Sequence, residues 1–282
     1  VLQRPNEGAL VLDAQMKMKQ YPLAKATLFV TLSAVIVVGY LFVLSVLRGK
    51  LGAFSNTVPA MLVATATLVL NWRFLKSEGR SLVDLGFDRP VFRIGQTAAG
   101  FLAGSLLVGS WALVLRFVAS ASWHAAPPVV PRAALGAVLF VIFNNAGEEL
   151  VYRGYLFLLL ARAYSRIAAV GVTCILFTLL HVQAGVPLAA AIAGVLTSSL
   201  VFAALFVRWQ SVPLVLGFHA ATNILQELLG LRTSALTAFV PAFGGNAGKS
   251  PSYTVLALTG LINVGLALAI FASARTRARK TQ

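Results

Sequence analysis

Two adjacent glutamates, Glu148 and Glu149, and an arginine, Arg153, stand inside the apolar run LFVIFNNAGEELVYRGYLFLLL. A charged side chain at the centre of a membrane-spanning helix costs about 2.5–3.5 kcal/mol on insertion scales, so three in one run mark function by default. Spacing assigns part of the set. Glu149 and Arg153 are four apart with the acid first, which puts them on one helix face where they can neutralise each other. Glu148 is rotated about 100° from Glu149 and is expected to be left free. A purely structural lock would need one pair and would leave Glu148 unexplained.

The chain holds three histidines and eight acidic residues, so each position carries information. The stretch FTLLH puts Phe177 and His181 one turn apart, and HAATN does the same for His219 and Asn223. Glu227 continues the second face and is expected to reach the membrane interface, while Glu7, Asp13, Glu78, Asp84 and Asp88 fall outside the apolar runs. A carboxylate in such a set can act as general base toward water, and His and Asn can donate hydrogen bonds to a developing oxyanion. Hydrolysis of a peptide bond by an activated water fits these parts. A Ser-His-Asp triad does not, because no Asp lies in a span. Zinc held by Glu148, His181 and His219 is chemically open, but HExxH is absent and a metal would claim the base. Cys174, seven residues before His181, is read as packing.

These residues need helices to position them. A span takes roughly 20 apolar residues, and eight candidates run at about 24–47, 55–72, 96–119, 131–161, 166–183, 187–206, 211–230 and 253–273. The expected class is therefore an all-α polytopic membrane protein of about eight transmembrane helices. Axial counting from the basic residues at one side tests whether the polar set converges. Glu148 lies 14 residues from Arg162 and His181 lies 15 from Arg166, roughly 21 and 22 Å at helical rise. His219 and Asn223, 11 and 15 residues from Arg208, reach roughly 16 and 22 Å. Three helices thus bring their polar residues to one depth, with His219 a turn off.

Composition agrees. Hydrophobic residues make up 59% and charged residues 11% of 282, against roughly 25% charged in soluble domains. The charge of +15 sits mainly at the ends of apolar runs, where it faces anionic headgroups, so the lipid bilayer rather than nucleic acid is the expected partner. Of 23 basic residues, 16 fall on the side of the termini and 5 on the other, with Arg116 and Arg153 inside spans. By the positive-inside rule both termini are cytoplasmic, as in a bacterial inner membrane. No cleavable signal is evident at the N-terminus, since the first apolar run is long enough to remain a helix. One cysteine excludes a disulfide framework.

The chain divides into a cytoplasmic segment 1–23, helices one to three over 24–130 with a polar loop at 73–95, a catalytic core over 131–230, and an outer loop, last helix and basic tail over 231–282. Within KSEGRSLVDLGFDRPVFRIGQ, either an ordinary loop or a headgroup-level segment is expected, the latter using Leu82, Leu85, Phe87, Val91 and Phe92. The stretch TSALTAFVPAFGGNAGKSPSY is rich in Gly and Pro and is a candidate to re-enter the membrane.

The strings EELVYR, FTLLH and HAATN match the motifs EExxxR, FxxxH and HxxxN/B in order. In this the chain resembles the CAAX-protease and bacteriocin-processing (CPBP, or ABI) family, which includes the CAAX prenyl protease. The resemblance covers about 131–230. It implies an intramembrane endopeptidase with a conical catalytic cavity, glutamate-dependent, without a required metal cofactor although long classed with the metalloendopeptidases. It implies Glu148 as the base that activates water, His181 as a group orienting that water, and His219 with Asn223 as oxyanion stabilisers. Glu149 and Arg153 would support the site and Phe177 would pack beside it. The implied partner is a membrane-associated protein or peptide substrate. Eukaryotic members trim prenylated CaaX proteins, whereas many bacterial members process peptides or confer bacteriocin immunity, and the Ala-, Val- and Arg-rich composition leans to the latter. Two rivals remain at this stage: a non-catalytic immunity or scaffold protein, and a proton-coupled transporter. The absence of inverted repeats speaks against the transporter.

Overall fold

The computed structural model describes residues 21–47, 49–88, 90–243, 246–247 and 253–280. The expected N-terminal segment lies almost wholly outside these, as do Arg48 and Lys249 and the side chains of Val91 and Phe92. Among the described residues nine helices carry the fold: α1 (Pro22–Leu47), α2 (Thr57–Ser77), α3 (Pro90–Val118), α4 (Pro131–Tyr152), α5 (Tyr155–Ala163), α6 (Arg166–Gln183), α7 (Leu188–Trp209), α8 (Val212–Leu228) and α9 (Tyr253–Lys280). A small antiparallel sheet joins β1 (Ser122–Ala125), β2 (Phe239–Phe243) and β3 (Asn246–Ala247), with Trp123 opposite Pro241.

Seven stretches among the described residues are long and apolar enough to cross a membrane, α4 and α5 counting as one. The eighth expected span is α8, which has only 17 residues. At helical rise that is about 25 Å, short of a hydrocarbon core of about 30 Å. Its start is fixed by Ser211, whose hydroxyl accepts from the Leu214 amide, and its end by Gly230 at φ +68. The short helix is also enclosed: Phe218, His219, Ala221 and Thr222 are all buried. Lipid does not set its length, because neighbouring helices surround it.

Glycine permits that enclosure. A Cβ at Gly100 or Gly104 of α3 would strike the Leu214 or Phe218 carbonyl of α8, and one at Gly217 would strike the Thr97 carbonyl of α3. The two backbones therefore touch, the small-residue mode of packing used where lipid removes the hydrophobic drive between helices.

The span expected at 131–161 is broken. Helix α4 ends at Tyr152, Arg153 adopts φ −114 and ψ 5, and Gly154 follows at φ −83 and ψ −138. The fully buried Asn71 of α2 takes over the interrupted backbone bonds. Its Nδ2 donates to the Leu150 carbonyl at 2.9 Å, and its Oδ1 accepts from the Tyr155 amide at 2.6 Å. Helix α7 is irregular too, with a π-helical segment at Ala191–Leu196.

The polar loop after α2 is neither structureless nor lipid-facing. Leu82–Leu85 forms a 3₁₀ turn closed by a Ser81–Asp84 capping box, and Leu85 is fully buried. Leu82 and Phe87 pack on the main core, so the headgroup-level reading is wrong for these residues. At this end of the molecule Glu78 joins three elements. It accepts from Lys25 of α1 at 2.8 Å and from Tyr155 and Arg162 of α5 at 2.7 Å each. Burial would raise its carboxyl, but those three donors outweigh the effect and hold it below the usual carboxylate range. The Gly- and Pro-rich stretch supplies β2 and β3 against β1 at the opposite end. Pairing explains it: β2 satisfies its backbone on β1.

Candidate active site

Helices α4 and α8 run antiparallel, and their polar residues meet in register. Asn145 and Glu149 share one face of α4, His219 and Asn223 one face of α8. Asn223 Nδ2 donates to Asn145 Oδ1 at 3.0 Å, and one turn away His219 Nδ1 lies 2.8 Å from Glu149 Oε1. A carboxylate oxygen only accepts, so Nδ1 carries the hydrogen. The other ring nitrogen, Nε2, faces Glu148 Oε2 at 3.8 Å. That gap exceeds a direct hydrogen bond and suits one bridging water. His219 thus sits between the two glutamates.

One expectation holds with an addition and one changes. Glu149 and Arg153 pair as expected, Nη1 to Oε1 at 3.3 Å with both 0% exposed, but the same oxygen also takes the shorter bond from His219. Glu148 is not free: Asn144 Nδ2 donates to its Oε1 at 2.8 Å, while 19% of the Glu148 side chain stays accessible. The depth count also shifts. It put Glu148 level with Asn223, whereas Glu148 and Glu149 lie level with His219, and Asn223 lies level with Asn145. The count assumed an unbroken helix between Glu148 and Arg162, and the break at Arg153 and Gly154 invalidates it.

Arg153 departs from the helical path and is held by aromatic faces, its guanidinium carbon lying 5.0 Å from the Phe177 ring and 5.3 Å from the Phe202 ring. Its Nη2 donates to the Ser199 hydroxyl at 2.6 Å and to the Ser199 carbonyl at 3.1 Å. Phe177 packs as expected and links the histidines, with ring centroids 4.5 Å from His181 and 6.1 Å from His219. His181 Nδ1 donates to the Phe177 carbonyl at 2.9 Å, which leaves Nε2 of the neutral ring as an acceptor. Asn223 is engaged on both sides, since Arg232 Nη1 donates to its Oδ1 at 3.3 Å. Cys174 is buried. Glu227 is 7% exposed, which overturns its reading as an interfacial residue.

Among the described residues no group of three or more His, Cys, Asp and Glu side chains is arranged to hold a metal ion. One cavity of ≈ 310 Å³ lies by Phe87, Arg93 and Pro213, and another of ≈ 430 Å³ by Lys25, Glu78 and Arg162; Glu148 borders neither. Sequence reasoning missed Asn71, Asn144, Asn145 and Ser199. For Asn144 and Asn145 the signal was present, because NNAGEE sets each asparagine four residues before a glutamate.

The helices and this polar cluster define an all-α, multi-pass integral membrane protein with an ionisable site between its helices. Residues 130–225 match the family model described as type II CAAX prenyl endopeptidase Rce1-like. Through this segment, about a third of its length, the chain is similar to the CPBP/CAAX-protease family of intramembrane endopeptidases. Every motif residue from Glu148 to Asn223 lies inside it. No curated protein and no solved structure matches the chain.

Proposed function

We propose that this protein hydrolyses a peptide bond in a membrane-associated protein or peptide, with water activated by Glu148. The observation that carries the reading is the placing of His219 between the two glutamates, 2.8 Å from Glu149 and 3.8 Å from Glu148. Glu148, the partly accessible carboxylate, takes the proton of a water lying between it and the His219 ring. The neutral His181 accepts that water's second hydrogen at Nε2. In the doubly protonated ring His219 Nε2 donates, and with the Asn223 amide it stabilises the oxyanion formed on attack. Glu149 fixes the ring orientation through Nδ1, much as a carboxylate orients a catalytic histidine elsewhere. The proton on Glu148 then passes to the leaving amine. No step requires a metal ion.

The test is cleavage of fluorogenic peptides ending in a CaaX sequence, prenylated and unprenylated, by the protein in proteoliposomes. Activity in the wild type that is lost in Glu148→Gln at equal expression supports the reading. Undiminished activity of Glu148→Gln overturns it, and activity surviving exhaustive chelation excludes catalytic zinc.

A further inference from the structure

Ser199 ends a chain of buried groups that reaches the proposed reacting pair. Its hydroxyl and carbonyl accept from Arg153 Nη2, Arg153 Nη1 contacts Glu149 Oε1, and the same oxygen receives His219 Nδ1. Ser199, Glu149 and Arg153 are each 0% exposed and His219 is 4% exposed, so solvent does not screen this chain or compete for its bonds. We propose that Ser199 is a positioning residue which, through Arg153 and Glu149, fixes the His219 ring against Glu148. Its effect on turnover rests on the reading of Glu148 and His219 as the reacting pair. Its effect on the ring does not.

Three observations make Ser199 more than a neighbour. First, Arg153 lies outside regular helical geometry, at φ −114, so its own helix does not dictate where the guanidinium goes. The Phe177 and Phe202 faces set its plane, and the paired acceptors on Ser199 set its position within that plane. Second, the residue before the Ser199 turn belongs to the π-helical segment Ala191–Leu196. A π-bulge is equivalent to one inserted residue and turns everything after it by about 100°. Without it a different face of α7 would meet Arg153. Third, Ser199 is braced from behind. Asn263 of α9 donates to the hydroxyls of Thr197 and Ser198 at 3.0 and 3.2 Å, and Trp111 of α3 donates to Asn263 at 3.1 Å. The serine that receives Arg153 is thus fixed to two further helices.

The three histidines of the chain make nitrogen NMR of ¹⁵N-histidine-labelled protein in nanodiscs tractable, with His219 assigned by its loss in His219→Gln. In the wild type His219 should show a single form in which Nδ1 carries a hydrogen, whether or not Nε2 carries one as well. Ser199→Ala, which keeps the carbonyl acceptor, should broaden or shift the His219 signals toward a mixture of forms. Ser199→Thr, which keeps the hydroxyl, should restore them. Deletion of Ile192, which removes the π-bulge, should reproduce Ser199→Ala. On cleavable peptide, Ser199→Ala should lower kcat by about tenfold or more, the scale of small misplacements in a site, with KM within about twofold as expected for loss of transition-state interaction alone. His219 signals in Ser199→Ala identical to wild type overturn the proposal. If Glu148→Gln stays active the hydrolytic reading fails, yet the ring signals still decide the role of Ser199.

Discussion

At the scale of single residues, the molecule separates carboxylates by partner and exposure rather than by charge. Glu148 keeps 19% of its side chain accessible and receives one amide donor from Asn144, whereas Glu149 is sealed between His219 and Arg153. Their substitutions should fail differently. Glu148→Gln should fold normally and lose about 10²–10⁴ in kcat, the span of a general base, read as turnover at unchanged melting temperature. Arg153→Ala should instead destabilise the fold by about 3–5 kcal/mol, because it removes one of the two groups that compensate the buried Glu149 carboxylate. Thermal unfolding in detergent separates the two: an Arg153→Ala protein as stable as wild type would remove the buried pair from the account. This division was half legible in the sequence. Spacing named the Glu149–Arg153 pair correctly, but it gave no means to see that His219 would compete for Glu149. That contact joins residues 70 apart in the chain, and no period within one helix encodes it.

At the scale of elements, irregularity marks the site more than regularity does. The break between α4 and α5 exists because Asn71, contributed by another helix, satisfies the backbone groups that the break exposes. Replacing Asn71 with Leu leaves a buried carbonyl and a buried amide unpaired, and each costs about 1–3 kcal/mol. The expected outcome is a lowered unfolding midpoint with loss of activity, measured against an Asn71→Asp protein that keeps the acceptor for Tyr155. Apolar runs in the sequence located every helix of the core, yet hydropathy is blind to a backbone bond supplied from 84 residues away. The π-segment of α7 is equally silent, since AIAGVL reads as ordinary apolar helix. Glu78 shows the same dependence on distant partners. Its folded carboxyl is held below its ordinary value, so its stabilisation is complete above the ordinary range and is lost as pH falls through the folded value. A Glu78→Gln protein should therefore melt below wild type at pH 7 and converge with it only as pH falls below the lowered folded value. Equal melting points at pH 7 would show that Glu78 does not clamp α1 to α5.

At the scale of the whole molecule, the helix count decides sidedness. If α8 crosses with the seven longer stretches, the number of spans among the described residues is even and Tyr21 and Lys280 share a face, as the basic-residue asymmetry expects. Accessibility labelling of single cysteines introduced near each terminus, in vesicles of known orientation, should report the same side for both. Opposite sides would mean that α8 does not cross. The overall class was the most legible property of the chain, because composition and run length depend on no long-range contact. The three-stranded sheet was the least legible. Its strands are short, its sequence is rich in glycine and proline, and its partner segments lie more than 100 residues apart.

The shortness of α8 bears on how the chain is assembled in the cell. This helix carries His219, Asn223, Gln226 and Glu227 along only 17 residues, so leaving the translocon alone into lipid would expose all of them to hydrocarbon. Helices α3 and α4 are made earlier and supply what α8 needs: a glycine-lined seat at Gly100 and Gly104 and polar partners at Asn145 and Glu149. Helix α8 is then a late passenger admitted by companions rather than by its own hydropathy. Fused alone to a glycosylation reporter it should insert poorly, and insertion should rise when the preceding helices are present. In such a chain the residues of the proposed chemistry are brought to their level in the bilayer by a biogenesis step that waits for most of the protein to be there.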